Sequence, residues 1–426
     1  MSNRIAMLRI VLLSVLVLGT YASLGQGLSS LPHPTGPYKI GRTSFLWMDR
    51  NRPEAMTTAA NDFREVMVYV WYPASGSGSA GAYLPGADRL GSIAGAIGVG
   101  NLFGPIWGRI ESNELRSNSL EQASPLPDRK SAVLVFAPGG GTTPIAYTTQ
   151  MEELASYGYF VVGVVHTYEA PFALFPDGRI VTAANDYWSQ LHNQIPDSEK
   201  LEQAISDMLA QDIRFVIDKV IDLDSDRASM FHQKLETTRV GVFGHSRGGR
   251  TAARVCQLDR RVAACLSEDG NFSWQPFWLD AAGTSMQQPF MMIDHLDPEL
   301  PDQVFAQMGT TREAYAANRS AKRDLARETI YQTIAAGSYH MTISTPGISH
   351  NSFLDVRLLG REDSSGINIW PRDIQATTPH ARILSAVTAY TRAFFDRYVR
   401  QIPAPLLETS PPLQDVEIRR YGAAAN

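Results

Sequence analysis

Arg239 to Arg250 reads RVGVFGHSRGGR: a short apolar strand from Val240 to Phe243, the pentapeptide Gly244-His245-Ser246-Arg247-Gly248, and the start of a helix through Ala252, Ala253 and Val255. A strand that turns straight into a helix forces the corner residue into strained backbone angles and leaves no room for flanking Cβ atoms. Glycine is therefore needed on both sides of the serine. The corner holds Ser246 Oγ up at the carboxyl end of the strand. Beside it lies the Arg247 N–H, at a helix N-terminus where negative charge is stabilised. Strand, turn and helix together, more than the pentapeptide itself, read as a nucleophile elbow.

Outward from the elbow, strands alternate with helices. Ala132 to Ala137 (AVLVFA) and Phe160 to Val165 (FVVGVV) are nearly continuous apolar runs, as parallel strands covered on both faces require. Tyr147 to Tyr157 and Lys200 to Leu223 predict helices, the second with Leu201, Ile205, Met208, Phe215 and Val220 on or near one face. The segments Val262 to Leu266, Phe290 to Ile293 and Met341 to Thr345 continue the strand series, and a helix from about Pro379 to Arg400 closes it. Upstream, after a loose segment, Glu65 to Tyr72 (EVMVYVWY) predicts an early antiparallel strand. A Gly/Ser-rich loop follows, and then a long insertion at 88–124 with the apolar run Ile93 to Trp107 (IAGAIGVGNLFGPIW). With no internal repeat and no second βαβ series, residues 26–426 predict a single catalytic domain of α/β-hydrolase fold. Its sheet should be mostly parallel and doubly wound, with antiparallel N-terminal edge strands and the apolar insertion ahead of the oxyanion loop.

A serine hydroxyl is a poor nucleophile near neutral pH; it needs a base to take its proton and a carboxylate to orient that base. On this fold the chain order is Ser, acid, His, each on a loop after a strand. His350 fits the base, in the turn Gly347-Ile348-Ser349-His350-Asn351-Ser352-Phe353 beyond a strand. His340 starts that strand, His380 sits at a helix N-terminus, and His166 ends a strand where it lines the site without being the base. His245 packs beneath the serine. The acid lies between Asp269, after one strand, and Asp294 or Asp297, after the next; geometry by itself does not choose. Glu268, next to Asp269, reads as solvated. Pro138-Gly139-Gly140-Gly141 follows the strand ending at Ala137, so the amides of Gly140 and Arg247 form the natural oxyanion hole. No Gly-Lys-Ser/Thr follows the glycines and no GxGxxG is present, which excludes a phosphate loop. No HExxH or CxxC spacing is present either, so neither a metal nor another cofactor is expected.

The chain has 426 residues, 44% hydrophobic and 19% charged, with a formal net charge of −5. That is an ordinary globular composition, and without a run of Lys or Arg it offers nothing to track a nucleic-acid backbone. At the N-terminus Arg4 and Arg9 precede the apolar run Ile10 to Leu18, and small residues follow. The pattern predicts a signal peptide over 1–25, cut after Ala22 or Gly25, and an exported protein; an uncleaved anchor is the alternative. Loss of Arg4 and Arg9 takes the charge from −5 to −7. Cys256 and Cys265 admit either a disulfide, which export allows, or two buried thiols.

The ordered set of motifs resembles the plasma-type platelet-activating-factor acetylhydrolases, also classed as a secreted phospholipase A2 group, and their bacterial relatives. It runs through Gly36-Pro37-Tyr38-Lys39-Ile40-Gly41, Val70-Trp71-Tyr72-Pro73-Ala74, the glycine loop after Phe136, Leu154-Ala155-Ser156-Tyr157-Gly158, Gly244-His245-Ser246-Arg247-Gly248-Gly249 and the turn holding His350. The resemblance implies that the acid is Asp269, twenty-three residues past Ser246, that Gly140 and Arg247 are the oxyanion donors, and that activity is calcium-independent. Two departures stand out: Pro138 replaces the His of the family's glycine loop, and Arg247 puts a cation where the family has an apolar or neutral residue.

The sequence thus implies an exported serine hydrolase of carboxylic esters, with short-acyl, platelet-activating-factor-like phospholipids or related lipid esters as substrates. A small-ester or polyester hydrolase on the same fold is the alternative enzyme, and a non-catalytic ligand-binding module the alternative of another class. The resemblance also implies that Ile93 to Trp107, flanked by Arg89 and Arg109, meets a membrane or lipid surface through Leu102, Phe103 and Trp107. The competing expectation is that these side chains are core.

Overall fold

Fifteen residues from Lys39 to Pro53 form strand β1, which the sequence reading leaves as a loose segment, and they pair in antiparallel register with β2 (Phe63–Ala74). The polar residues of β1 hide it from a hydrophobicity scan. Arg42 is fully buried, its guanidinium satisfied by the carbonyls of Tyr83 and Ala82 and by Glu121. A computed structural model describes residues 30–59, 61–270, 286–295, 305–306, 309–314, 317, 337–345, 348–359, 380–409 and 414–421. The signal peptide read at 1–25, together with Asp297, Gly347 and Pro379, lies outside them.

The chain continues through β3 (Ala80–Ala82), α1 (Val99–Phe103), α2 (Trp107–Glu111) and β4 (Arg116–Glu121). Next come β5 (Ser131–Ala137), α3 (Thr148–Ser156), β6 (Tyr159–Val165), a small hairpin of β7 (Phe172–Leu174) and β8 (Ile180–Thr182), α4 (Asn185–Gln194) and α5 (Ser198–Ser225). The elbow joins β9 (Leu235–His245) to α6 (Arg247–Leu258). After it follow β10 (Val262–Glu268), β11 (Phe290–His295), β12 (Ser338–Ile343), α7 (Val356–Leu359), α8 (His380–Tyr398) and β13 (Val416–Tyr421). Among the described residues the main sheet runs in the order β13-β12-β11-β10-β9-β5-β6-β2-β1-β4-β3. The six strands from β12 to β6 are parallel. Outside them β2 and β13 are antiparallel to their inner neighbours.

The continuous apolar runs are explained by two covered faces. Leu134, Phe136, Val161, Phe243 and Leu266 face one side, against Met151 and Leu154 of α3 and Phe394 and Phe395 of α8. Val133, Val135, Val162, Val240 and Val242 alternate to the other, against Ile213, Val216 and Ile217 of α5 and Ala252, Ala253 and Cys256 of α6. Burying each large apolar side chain is worth about 1.5–3 kcal/mol. Cys256 and Cys265 are joined by a disulfide, Cα to Cα 6.3 Å, which clamps α6 to β10 inside the second layer.

The insertion differs from expectation. It contributes β4 to the sheet, and its bulky side chains turn inward: Phe103 is fully buried, edge-on to Tyr83 at 6.1 Å, and Leu102 and Ile106 join the same core. Trp107 is half-buried against it. Phe103 is therefore core rather than an interface residue. The physical reason lies in the glycines: a Cβ at Gly95, Gly104 or Gly108 would meet open space, so at these exposed positions the segment presents bare backbone. No helix among the described residues is long and apolar enough to cross a membrane.

With α3 on one face and α5 on the other, the chain reverses its winding around β5. Loops at the carboxyl ends of strands therefore splay apart there and leave a crevice.

Candidate active site

Ser246 has φ 55° and ψ −121°, the strained corner the elbow demands. The two flanking glycines are obligatory for space: a Cβ at Gly244 would lie 2.5 Å from the Ala137 carbonyl oxygen, and one at Gly248 only 2.0 Å from it. Backbone in such a region costs on the order of 1–3 kcal/mol. The surroundings impose it, since the Ser246 N–H donates to the Glu268 carbonyl at 2.8 Å and α6 begins at the next residue.

His350 opens a short 3-10 turn that Ser349 caps, with the Ser349 N–H donating to Ser352 Oγ at 2.9 Å. Its Nε2 lies 2.8 Å from Ser246 Oγ and its Nδ1 2.5 Å from Asp269 Oδ2. Hydroxyl, imidazole and carboxylate thus form one hydrogen-bonded chain. Asp269 also occupies left-handed backbone, φ 51°, and its N–H donates to the Ile293 carbonyl at 2.7 Å. Burial would push this carboxyl up, but the charge of the His295 ring and hydrogen bonds from His295 and His350 outweigh it and hold it well below the usual carboxylate range.

His295, which the sequence does not mark as a site residue, has its Nδ1 2.9 Å from each Asp269 oxygen. Its position at the carboxyl end of β11, one residue past a weighed acid, was the available signal. Asp294 itself turns the other way and pairs with His340 Nε2 at 3.0 Å. His245 lies beneath the serine: its Nδ1 accepts from Tyr147 Oη at 2.8 Å and its Nε2 donates to the His350 carbonyl at 2.9 Å. Burial, with His350 alongside, lowers His245 to about 3, so it stays neutral and steadies the backbone of His350. His166 is bonded through Nδ1 to Asp212 at 2.9 Å, and the imidazole that meets Ser246 Oγ is His350. Burial, helped by Arg357, lowers His380 to about 4 at the start of α8.

Glu268 is not solvated. It is fully buried, accepts from Gln150 Nε2 at 2.5 Å and Thr391 Oγ1 at 3.4 Å, and is pushed up to about 8 by that burial. Strand alternation sends Glu268 to the same helix layer as Ala264 and Leu266, whereas Asp269, one residue past the end of β10 at φ 51°, leaves the alternation and meets His350.

The glycine loop lies opposite Ser246. Among the described residues, neither the Gly140 nor the Arg247 amide donates to another protein group. The Arg247 side chain folds back over the loop and binds Glu169 at 2.8 Å. Gly140 and Arg247 line a cavity of about 840 Å³. Ala96, Ile97 and Leu102 of the insertion form one wall, Trp188 and His192 of α4 another, and Asn351 to Arg357 close the side beyond His350. Leu102 thus faces the cavity, while Ile93, 37% exposed, stands outside it. His245, Asp269 and His350 also present atoms within 4.8 Å of one another that could hold a metal ion. His350 and Asp269 are already engaged in the hydrogen-bonded chain to Ser246, and His245 is held by Tyr147 and the His350 carbonyl.

Residues 24–360 match the model of a family described as platelet-activating factor acetylhydrolase, isoform II. The chain is 24% identical over 387 residues to a probable 1-alkyl-2-acetylglycerophosphocholine esterase of Arthroderma benhamiae, covering 86% of this chain and 87% of that protein. It is 21% identical over 335 residues to the platelet-activating factor acetylhydrolase of Canis lupus familiaris, covering 74% and 69%. Among solved structures it is similar to a ferulic acid esterase from Streptomyces cinnamoneus, with TM-score 0.67 and 26% identity over 93% of this chain and all of that one. The fold is that of an α/β-hydrolase.

Proposed function

The chain belongs to the platelet-activating factor acetylhydrolase, isoform II, family, and from that premise we propose that this ester hydrolase is exported and cleaves short-acyl phospholipid or related lipid esters through Ser246, His350 and Asp269. The observation that carries the reading is the unbroken chain from Ser246 Oγ through both nitrogens of His350 to Asp269. In this mechanism His350 Nε2 takes the Ser246 proton as Oγ attacks the ester carbonyl, and returns it to the departing alcohol. Asp269 holds the Nδ1 tautomer and stabilises the imidazolium. The amides of Gly140 and Arg247 receive the oxyanion, a role worth about a hundredfold or more in rate per donor. Water then repeats the sequence on the acyl-enzyme. Export is supported by the leader pattern at 1–25 and is compatible with the Cys256–Cys265 disulfide. Contact with a lipid surface would fall to the rim at Ile93 and Ile97 rather than to Phe103.

The test is a fluorophosphonate label on the purified protein together with a panel of esters graded in acyl length and headgroup. Ser246→Ala should abolish labelling, and Ser246→Ala and His350→Ala should each remove nearly all turnover while the protein stays folded. Substantial turnover by Ser246→Ala would end this mechanism. Trp188 and His192 on the cavity wall favour one second reading, an aromatic acyl group. Faster turnover of aromatic-acid esters than of short-acyl phospholipids would select it.

A further inference from the structure

We propose that Glu169 is a positioning residue for the oxyanion hole: one of its carboxylate oxygens ties together the two backbone segments that carry the oxyanion amides. The inference rests on the reading of Ser246 as nucleophile and of the Gly140 and Arg247 amides as the hole. Glu169 Oε1 accepts the Gly141 N–H at 3.1 Å and Arg247 Nη1 at 2.8 Å. One bond holds the glycine loop and the other holds the residue after the nucleophile.

Two features make this more than a surface ion pair. Glu169 is only 7% exposed, so its charge-assisted bonds are shielded from competing water. Nothing intervenes between the cation and the loop, since a Cβ on Gly140 would lie 2.6 Å from Arg247 Nη1 and 2.9 Å from Cζ. Glycine loses more conformational freedom on ordering than any other residue, and Gly139, Gly140 and Gly141 stand in a row, the last with φ +66°. A loop of that kind holds an amide in place only if something outside it does the holding.

Glu169 is itself well anchored. It follows Tyr168, at φ 67°, and its N–H donates to the His166 carbonyl at 3.0 Å. The His166 ring is bonded to Asp212, which pairs with Arg64 at 2.6 Å inside the protein. The tie therefore runs from a buried ion network at the ends of β2 and β6 into the glycine loop. Arg247 has a second, looser carboxylate in Glu202 at 3.6 Å, and Glu202 is engaged by Arg250 at 2.7 Å. Without Glu169 the guanidinium would swing toward Glu202 and leave the Gly141 amide behind.

Glu169→Ala should lower kcat on a water-soluble ester by about tenfold to a hundredfold, less than or near the cost of deleting one donor, with KM changed by less than about threefold. The affinity for a trifluoromethyl ketone, whose adduct with Ser246 presents the oxyanion, should fall by the same factor. Glu169→Gln keeps an oxygen for the Gly141 N–H and should recover most of both. Arg247→Met keeps the amide but loses the guanidinium. It should share the defect, and its combination with Glu169→Ala should be little worse than the poorer single variant. Wild-type kcat and inhibitor affinity in Glu169→Ala would overturn the proposal, and so would a rise confined to KM, which belongs to a substrate contact. If Glu169→Ala does not fold, Arg247→Met carries the test, and wild-type inhibitor affinity there refutes the tie. Turnover by Ser246→Ala would instead remove the underlying reading, which complete fluorophosphonate labelling of the Glu169 variants keeps separate.

Discussion

Replacing the buried Glu268 by Gln should stabilise the protein at neutral pH and do so by an amount that grows with pH. Burial pushes this carboxyl up to about 8 from an ordinary 4.5, against the hydrogen bonds from Gln150 and Thr391. The folded state therefore keeps a proton that the unfolded chain gives up above pH 4.5. Stability from this group is fully present below 4.5 and is lost as pH rises toward 8. At about 1.4 kcal/mol for each pH unit, the loss by pH 7 is about 3 kcal/mol. Glutamine keeps an oxygen for Gln150 and Thr391 and has no proton to lose. The side chain points into the helix layer of α3 and α8, so kcat should stay within about threefold. Urea titrations of both proteins from about pH 5 to about pH 8 should give a stability difference rising with that slope. Asp355, buried and pushed up to about 7, tilts both curves alike and cancels in the difference. A difference that is flat with pH, or a variant less stable at pH 8, would refute the reasoning.

Asp269→Asn should cost about 10⁴ in kcat by favouring the wrong His350 tautomer, while Asp294→Asn, which meets His340 instead, should be much milder; paired kinetics with the opposite ranking would move the acid one strand along. Phe103→Ala should destabilise the fold by about 3–5 kcal/mol, whereas Ile93→Ser should leave the melting temperature unchanged and weaken liposome binding; thermal melts and vesicle co-sedimentation read the two separately. Replacing Cys256 and Cys265 together by Ala should cost about 3 kcal/mol in urea, as expected for cross-linking a short loop, and an unchanged urea midpoint would show that the clamp contributes nothing.

The elbow was legible because space and backbone strain at Gly244, Ser246 and Gly248 allow so few residues. The parallel strands were legible because two covered faces leave β5 and β6 no polar position. Asp269 and Asp294 could not be separated from the chain alone, since both lie at the carboxyl ends of strands next to or near the elbow strand. The separation comes from the backbone: Asp269 lies past the end of β10 at φ 51° and reaches His350, whereas Asp294 stays within β11 and pairs with His340. Strand alternation hid Glu268 in the helix layer, and the left-handed turn at Asp269 brings that carboxylate to His295 at the end of β11. In the insertion, apolar content correctly marked a segment at the cavity but gave no hint of which side chains turn inward. Bare glycine backbone on its outer side settled that, and a hydrophobicity scan does not see it. β1 was lost because Arg42 is a charged residue whose partners, Ala82, Tyr83 and Glu121, lie far along the chain.

The cavity has a floor and walls of different descent. Its floor is made of turns welded to the central strands, whereas two walls are side excursions, the segment between β3 and β4 and helix α4 between the β7-β8 hairpin and α5, and neither contains Ser246, His350 or Asp269. Transplanting either excursion from a relative should exchange the range of esters accepted while the reacting groups stay where they are. A lineage carrying this scaffold can therefore change diet without relearning its chemistry, and an engineer can recombine the same two segments.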